Sequence, residues 1–243
     1  MPQHIIVKKG KSLKRTFSAF FLNRCIYKYF KDNQLLSLLK LIDNKEMPPI
    51  TFDLWHLHKL IRQRKPKKVL EFGVGFSTLV IADALYKNHQ ERTHKQPGQL
   101  WSVDTSAHWI NNSISNIPSH LKNYVADISQ SDVHVTEINN QLCHMYDKLP
   151  NIVPDFVYLD GPSHLEIKGE YKGLAFLQND NHERGNIAAD MLLYESTLQS
   201  GFFMLVDGRI RNVRFLANNF KHTYKIHIDT MYKYSTFELI NIF

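Results

Sequence analysis

Cysteine is scarce in this chain of 243 residues: Cys25 and Cys143 are the whole complement, far apart and without paired spacing. That excludes a disulfide framework and a thiolate zinc site, and fits ordinary buried thiols in a reducing, cytoplasmic compartment. Long apolar runs are also missing. The best stretches, residues 18–22 and 201–206, fall far short of the roughly 20 residues that span a bilayer, so no transmembrane helix is expected. The first 31 residues contain no acid, yet their apolar stretch is too short for a signal-peptide core and no small-residue cleavage site follows. Secretion is therefore not expected. An organelle leader is disfavoured too, because the apolar pattern continues through Ile42 as if it belonged to the fold.

What is present is a basic N-terminal quarter. Through Lys68 there are 16 Lys and Arg against 4 Asp and Glu, so this part carries +12 of a chain total of +7 and the remainder carries −5. From Ser12 to Ile42, apolar residues such as Leu13, Phe17, Phe20, Phe21, Ile26, Phe30, Leu35 and Leu38 recur every three or four positions among lysines and arginines. This reads as one or two amphipathic helices. The segment 1–50 is read as a basic helical extension and 51–243 as one α/β domain, since the length requires no second core. Met47-Pro48-Pro49 interrupts the helices, and Thr51 or Asp53 can cap a further one bearing Leu54, Leu57, Leu60 and Ile61.

Beyond Pro66, short apolar runs alternate with helical stretches, the pattern of a parallel sheet covered on both faces. Strands are expected at 68–72, 100–103, 156–159 and 202–206, with one or two more within 124–138. Helices are expected at 77–86, 107–117, 186–198 and 212–220, and two closing strands flank a turn near Met231. The fold class is a three-layer, Rossmann-like α/β sandwich with a mostly parallel seven-stranded sheet whose last strand is antiparallel.

In such a sheet, ligands bind beyond the carboxyl ends of the strands. There the first strand runs into Glu71-Phe72-Gly73-Val74-Gly75-Phe76-Ser77-Thr78, where two glycines permit a tight turn and close backbone approach. A dinucleotide fingerprint wants a third glycine where Thr78 stands and an acid about 20 residues later. The next acid after a strand is instead Asp104, so NAD is disfavoured.

This loop, followed by Trp101-Ser102-Val103-Asp104, resembles the opening of class I S-adenosylmethionine-dependent methyltransferases. The resemblance runs from about Lys67 to Phe243 and leaves out the N-terminal extension. It implies that Glu71, Gly73, Gly75, Ser77 and Thr78 form the loop around the methionine end of S-adenosylmethionine. It implies that Asp104 holds the ribose diol, for which a carboxylate with two acceptor oxygens is suited. The bland reading of Asp104 is a helix cap. Asp127 is a candidate for the adenine amino group, or a turn residue.

Two further carboxylates end strands: Asp160 in Tyr158-Leu159-Asp160-Gly161-Pro162, and Asp207 in Val206-Asp207-Gly208-Arg209. Asp160 is the first catalytic candidate, and His164 the candidate general base, since imidazole titrates near neutrality. The pair Asp160 and Asp207 resembles the magnesium site of metal-dependent O-methyltransferases, although Gly208 stands where those enzymes often carry another oxygen ligand. Ion pairing of both with Arg209 or Arg211 is the other reading. The run Asp207 to Leu216, with Phe237-Glu238-Leu239, is similar to a poorly characterised methyltransferase-like group. Arg209, Arg211 and Arg214 suit an anionic acceptor or structural salt bridges.

The function implied is O-methylation of a small-molecule or glycan hydroxyl. The alternative is a non-catalytic module of the same fold, whose basic helices contact nucleic acid, an acidic partner or a membrane surface. No Asn/Asp-Pro-Pro-aromatic motif follows the fourth strand, which disfavours amino-methylation of nucleic acid. The bland expectation for the basic N-terminal helices is a solvated pair that packs on the sheet or forms a homodimer.

Overall fold

Strands whose alternate residues are all buried need a cover on both faces, and that requirement organises this chain. The computed structural model describes residues 3–8, 15–41, 49–91, 96–177 and 184–241. Leu13 and Ile42, the side chains of Phe17, Phe20 and Phe21, and Met47-Pro48 lie outside what is described. In chain order the elements are β1 (His4–Lys8), α1 (Arg15–Asp32), α2 (Leu35–Leu38), α3 (Thr51–Arg64), β2 (Lys68–Phe72), α4 (Phe76–Glu91), β3 (Gln99–Asp104) and α5 (Ala107–Asn116). There follow β4 (Val125–Gln130), β5 (Val133–Ile138), β6 (Gln141–Tyr146), β7 (Phe156–Leu159), β8 (Ile167–Lys168) and α6 (Met191–Tyr194). The chain closes with β9 (Phe203–Asp207), α7 (Ile210–Asn219), β10 (Thr223–Asp229) and β11 (Tyr234–Asn241).

The main sheet has the order β1-β10-β11-β9-β7-β2-β3-β4, and β11 alone runs antiparallel to its neighbours. This is the expected seven-stranded, mostly parallel sheet, with β1 added at one edge. From β2 the chain moves outward to β3 and β4, then returns to place β7 and β9 on the other side. The strand order therefore reverses between β2 and β7, and a crevice must open beyond their carboxyl ends.

Period-two alternation sorts the side chains. Leu70, Phe72, Val157, Leu159, Met204 and Val206 face one layer, together with Val213 and Leu216 of α7 and Tyr146 of β6. Val69, Phe156, Tyr158, Phe203 and Leu205 face the other, against Leu57 and Ile61 of α3 and Ile81 and Leu85 of α4. Each such buried side chain contributes about 1.5–3 kcal/mol. A smaller sheet, β6-β5-β8, flanks the first layer.

The N-terminal helices pack into the fold: Ile26, Phe30, Leu35 and Leu38 join Leu54, Leu79 and Val80 in one apolar cluster. A buried polar chain fastens them, with Tyr29 Oη 2.8 Å from His58 Nδ1, His58 Nε2 2.9 Å from Asp83, and Lys87 donating to Asp83 at 2.5 Å. Arg24, Lys28 and Lys31 stay on the exposed side of α1. Among the described residues, no helix is long and apolar enough to cross a membrane.

Two local expectations are corrected. The helix expected over 186–198 shrinks to α6 and a 3-10 turn, Glu195–Thr197. The preceding backbone is taken by tertiary bonds, since His144 N donates to Ile187 O, Ala189 N donates to His144 O, and Asn212 bonds Ala188 in both directions. Neither Thr51 nor Asp53 caps α3; Ile50 precedes it with no side-chain cap. The one or two strands expected within 124–138 are two, β4 and β5, and they lie in different sheets.

Candidate functional site

A cleft of about 490 Å3 opens at the reversal between β2 and β7. Its first wall is the turn after β2. Gly73 has φ +96°, and a Cβ there would lie 2.7 Å from Gly161 N, so only glycine fits at this backbone crossing. Gly161 faces the same constraint from its side, with an added Cβ 2.6 Å from Gly73 Cα. Asp160 N and Gly161 N both donate to Phe72 O, which ties the loop after β7 to the loop after β2. Gly75 is different: a Cβ there would meet nothing within 4 Å, which leaves open cleft above the backbone.

Asp104 ends β3 beside this turn. One carboxylate oxygen accepts from Val74 N at 2.6 Å and the other from Ser106 N at 2.8 Å. Helix α5 is capped by Ser106, which accepts from Trp109 N, so Asp104 is not its cap residue. Burial raises the Asp104 pKa, and the amides of Ser106 and Val74 oppose that shift. Oδ2 keeps a lone pair for a ligand hydroxyl, and Oδ1 has the Thr105 hydroxyl at a long 3.5 Å, a contact a ligand hydroxyl can replace.

Of the loop residues read from the sequence, Gly73, Gly75, Ser77 and Asp104 line the cleft together. Glu71 and Thr78 do not; they stand behind the loop. Glu71 accepts from Thr78 Oγ1 at 2.8 Å and Ser102 Oγ at 2.7 Å, and thereby ties β2, β3 and α4 together. Burial lifts its pKa to about 7 despite these hydrogen bonds. Asp127 sits within β4 opposite Trp101, exposed and away from the cleft.

The second wall carries acids. Asp160, Asp207 and Asp53 all line the cleft, Asp53 from the first turn of α3. Asp160 is exposed to the lumen and accepts from Tyr158 Oη at 3.3 Å. Withheld solvent raises its pKa, opposed by the Arg209 guanidinium. Burial, then the Asp160 charge, lifts Asp207 to about 8, and burial with Asp160 lifts Asp53 to about 6. These carboxylates therefore hold protons at pH values where an isolated aspartate has none. Arg209 is the counter-charge, and its Nη2 donates to Asp160 O and to Pro162 O, the latter at 3.0 Å. His164 opens a 3-10 turn whose capping box is made by Ser163 and Glu166, and it lines the same cleft.

Sequence reasoning missed Asp53 as a site residue, treating it as a helix cap. It also missed Trp109 and Tyr158, which line the cleft. The aromatic two turns of chain beyond Asp104 was the available signal for Trp109; Asp53 came from a different part of the chain and left none.

No protein-family model matches the sequence, and no curated protein matches it. Among solved structures, the S-adenosylhomocysteine-bound methyltransferase PaMTH1 of Podospora anserina superposes with a TM-score of 0.51 over 96% of this chain and 100% of that one, at 7% identity. The O-methyltransferase TomG of Streptomyces achromogenes, in complex with S-adenosylmethionine, gives 0.47 at 14% identity over 81% and 83% of the two chains. The O-methyltransferase of Bacillus cereus, in complex with S-adenosylhomocysteine, also gives 0.47 at 14% identity, over 89% and 90%. The first of these likenesses, together with the strand order, shows that the chain has the Rossmann-like fold of a class I methyltransferase.

Proposed function

We propose that this chain is an S-adenosylmethionine-dependent methyltransferase acting on a hydroxyl of a small molecule or glycan, with residues 51–243 as the methyltransferase domain and 1–50 as its extension. The observation that supports this best is the single cleft that joins Gly73, Gly75, Ser77 and Asp104 to Asp160 and His164. When bound, S-adenosylmethionine supplies an electrophilic methyl group on a sulfonium. The open space over Gly75 fits a ligand laid against the backbone, and Asp104 is placed to accept both hydroxyls of a ribose. Trp109, rather than Asp127, offers the adenine a surface to pack on.

At the other wall, Asp160 takes the proton of the acceptor hydroxyl, and desolvation, opposed by Arg209 and Tyr158, sets its basicity. His164 is the second candidate for that proton. A raised pKa suits the task, because a base is most effective when its pKa lies near the working pH.

Magnesium does not fit the residues present. Among the described residues no three His, Cys, Asp or Glu side chains converge as a metal site. Gly208 offers no side-chain oxygen beside Asp207, and Arg209 already places a cation against Asp160. Magnesium asks for near-octahedral oxygen ligation, which this set does not supply. The paired acids at the acceptor wall also disfavour the non-catalytic alternative, for which such coupled carboxylates have no use.

The test is transfer of label from methyl-labelled S-adenosylmethionine to a panel of hydroxylated small molecules, with magnesium chelated. Labelled product with the wild-type chain and none with Asp160→Asn supports the assignment. Product formed equally well by both removes Asp160 from the chemistry.

A further inference from the structure

The cleft continues past Asp160. A second cavity of about 470 Å3 shares Asp160, His164, Asn186, Asp207 and Arg209 with the first. On its far side it is lined by Arg184, Gly185, Gly208, Ile210 and Arg211 instead of by the glycine loop. The two volumes thus meet at the carboxylate pair, and their outer ends carry opposite character: Asp104 at one, arginines at the other. A volume of this size is in the usual range for a small-molecule site, about 300–1,000 Å3.

The arginines are positioned rather than scattered. Gly185 lies under the Arg211 side chain, where a Cβ would come within 2.5 Å of Cδ and 3.0 Å of Nη1. The missing side chain at 185 is what lets the Arg211 stem lie there, and Arg211 is exposed with no salt bridge among the described residues. Arg184 precedes that glycine in the chain and lines the same cavity. Arg209 Nη1 and Asn186 Oδ1 are buried with no hydrogen-bond partner among the described residues.

The charge balance of the lobe is positive. Arg184, Arg209 and Arg211 line the lobe together with Asp160 and Asp207, three cations against two carboxylates. Guanidinium groups grip carboxylate or phosphate oxygens through parallel two-point hydrogen bonds.

We propose that the arginine-lined lobe is the acceptor subsite and takes an anionic group, a phosphate or a carboxylate, leaving the hydroxyl of the same molecule at Asp160. The word acceptor rests on the methyl-transfer reading above; the capture of an anion there does not. A neutral glycan would offer no charge to the exposed Arg211 or to the buried Nη1 of Arg209, so the acceptor class narrows to acidic hydroxy compounds.

The experiment is calorimetric titration of the full chain with pyrophosphate and, separately, with a tricarboxylate, at low and at moderate salt, with S-adenosylhomocysteine titrated into the same preparations. Saturable binding of one probe, weakened roughly tenfold by Arg211→Gln or Arg184→Gln and little changed by Arg24→Gln on α1, is the expected result. Arg211→Lys should recover only part of the loss, because it keeps the charge and removes the fork. Which probe binds distinguishes phosphate from carboxylate. No saturable binding of either, or equal loss in all three glutamine variants, overturns the subsite. S-adenosylhomocysteine affinity should be unchanged in every variant; if the wild type binds pyrophosphate but not S-adenosylhomocysteine, the methyl-transfer reading fails and the anion site stands.

Discussion

At the β2 and β3 end of the cleft, the carboxylates are held by backbone and hydroxyl donors: Asp104 by two amides, and Glu71 through Oε2 by two hydroxyls. At the β7 and β9 end, Asp53, Asp160 and Asp207 line one wall, where burial and the Asp160 charge raise the pKa values of the other two, with Arg209 as the counter-charge. The loop shape at the first end is fixed by the mutual contact of Gly73 and Gly161. The second stores electrostatic tension that a proton or an acceptor can relieve. A rigid end suits a constant cofactor, and a titrating end suits chemistry.

The sharpest way to break this comparison is at its second half. Asp160→Asn should lower methyl transfer by about 10²–10⁴, the usual worth of a general base, while S-adenosylhomocysteine affinity stays nearly constant. Turnover and equilibrium binding measured on one preparation separate the two effects. Gly73→Ala attacks the first half through its backbone, because the new Cβ collides with Gly161 and φ +96° is strained for alanine. A loss of roughly 3 kcal/mol in urea unfolding is expected, with loss of cofactor binding. Asp104→Ala should weaken S-adenosylhomocysteine binding by about tenfold or more, as expected for hydrogen bonds to a charged acceptor.

A smaller effect comes from pH. Because the folded pKa of Asp207 is raised to about 8, the folded chain retains a proton that the unfolded chain releases. That contribution to stability is complete below the ordinary aspartate range and is lost as pH rises through about 8. Urea midpoints should therefore fall between about pH 5 and pH 8, and Asp207→Asn should flatten that slope. An unchanged slope would assign the fall to Glu71 or Asp190, both raised to about 7 by burial. The smallest effect is at Asp127→Ala: with its side chain exposed on β4 and away from the cleft, S-adenosylhomocysteine affinity should change by less than about twofold.

The parts of the fold written in local pattern were legible. The strands Lys68–Phe72 and Phe156–Leu159 stand where the apolar runs place them, because a buried parallel strand declares itself in a few consecutive residues. The strand β1 went unread, since His4–Lys8 is a single exposed edge strand whose partner β10 lies over 200 residues away. The expected helix over 186–198 lost its first half to hydrogen bonds with His144 and Asn212, which no local pattern records. The same division holds in the site. Gly73, Gly75, Asp104, Asp160 and Asp207 each follow a strand and were found by position, whereas Asp53 reaches the cleft from α3 and Trp109 from α5. Glu71 and Thr78 belong to the loop motif but face the interior, because strand alternation turns residue 71 away from the cleft and into the hydrogen-bonded layer behind it.

The most direct test is calorimetric titration of the full chain with S-adenosylhomocysteine, with NAD as the comparison and with and without magnesium. Saturable binding of S-adenosylhomocysteine alone, indifferent to magnesium and weakened by Asp104→Ala, is the predicted result. Binding of NAD in its place, or of neither ligand, would contradict the assignment of this cleft to S-adenosylmethionine.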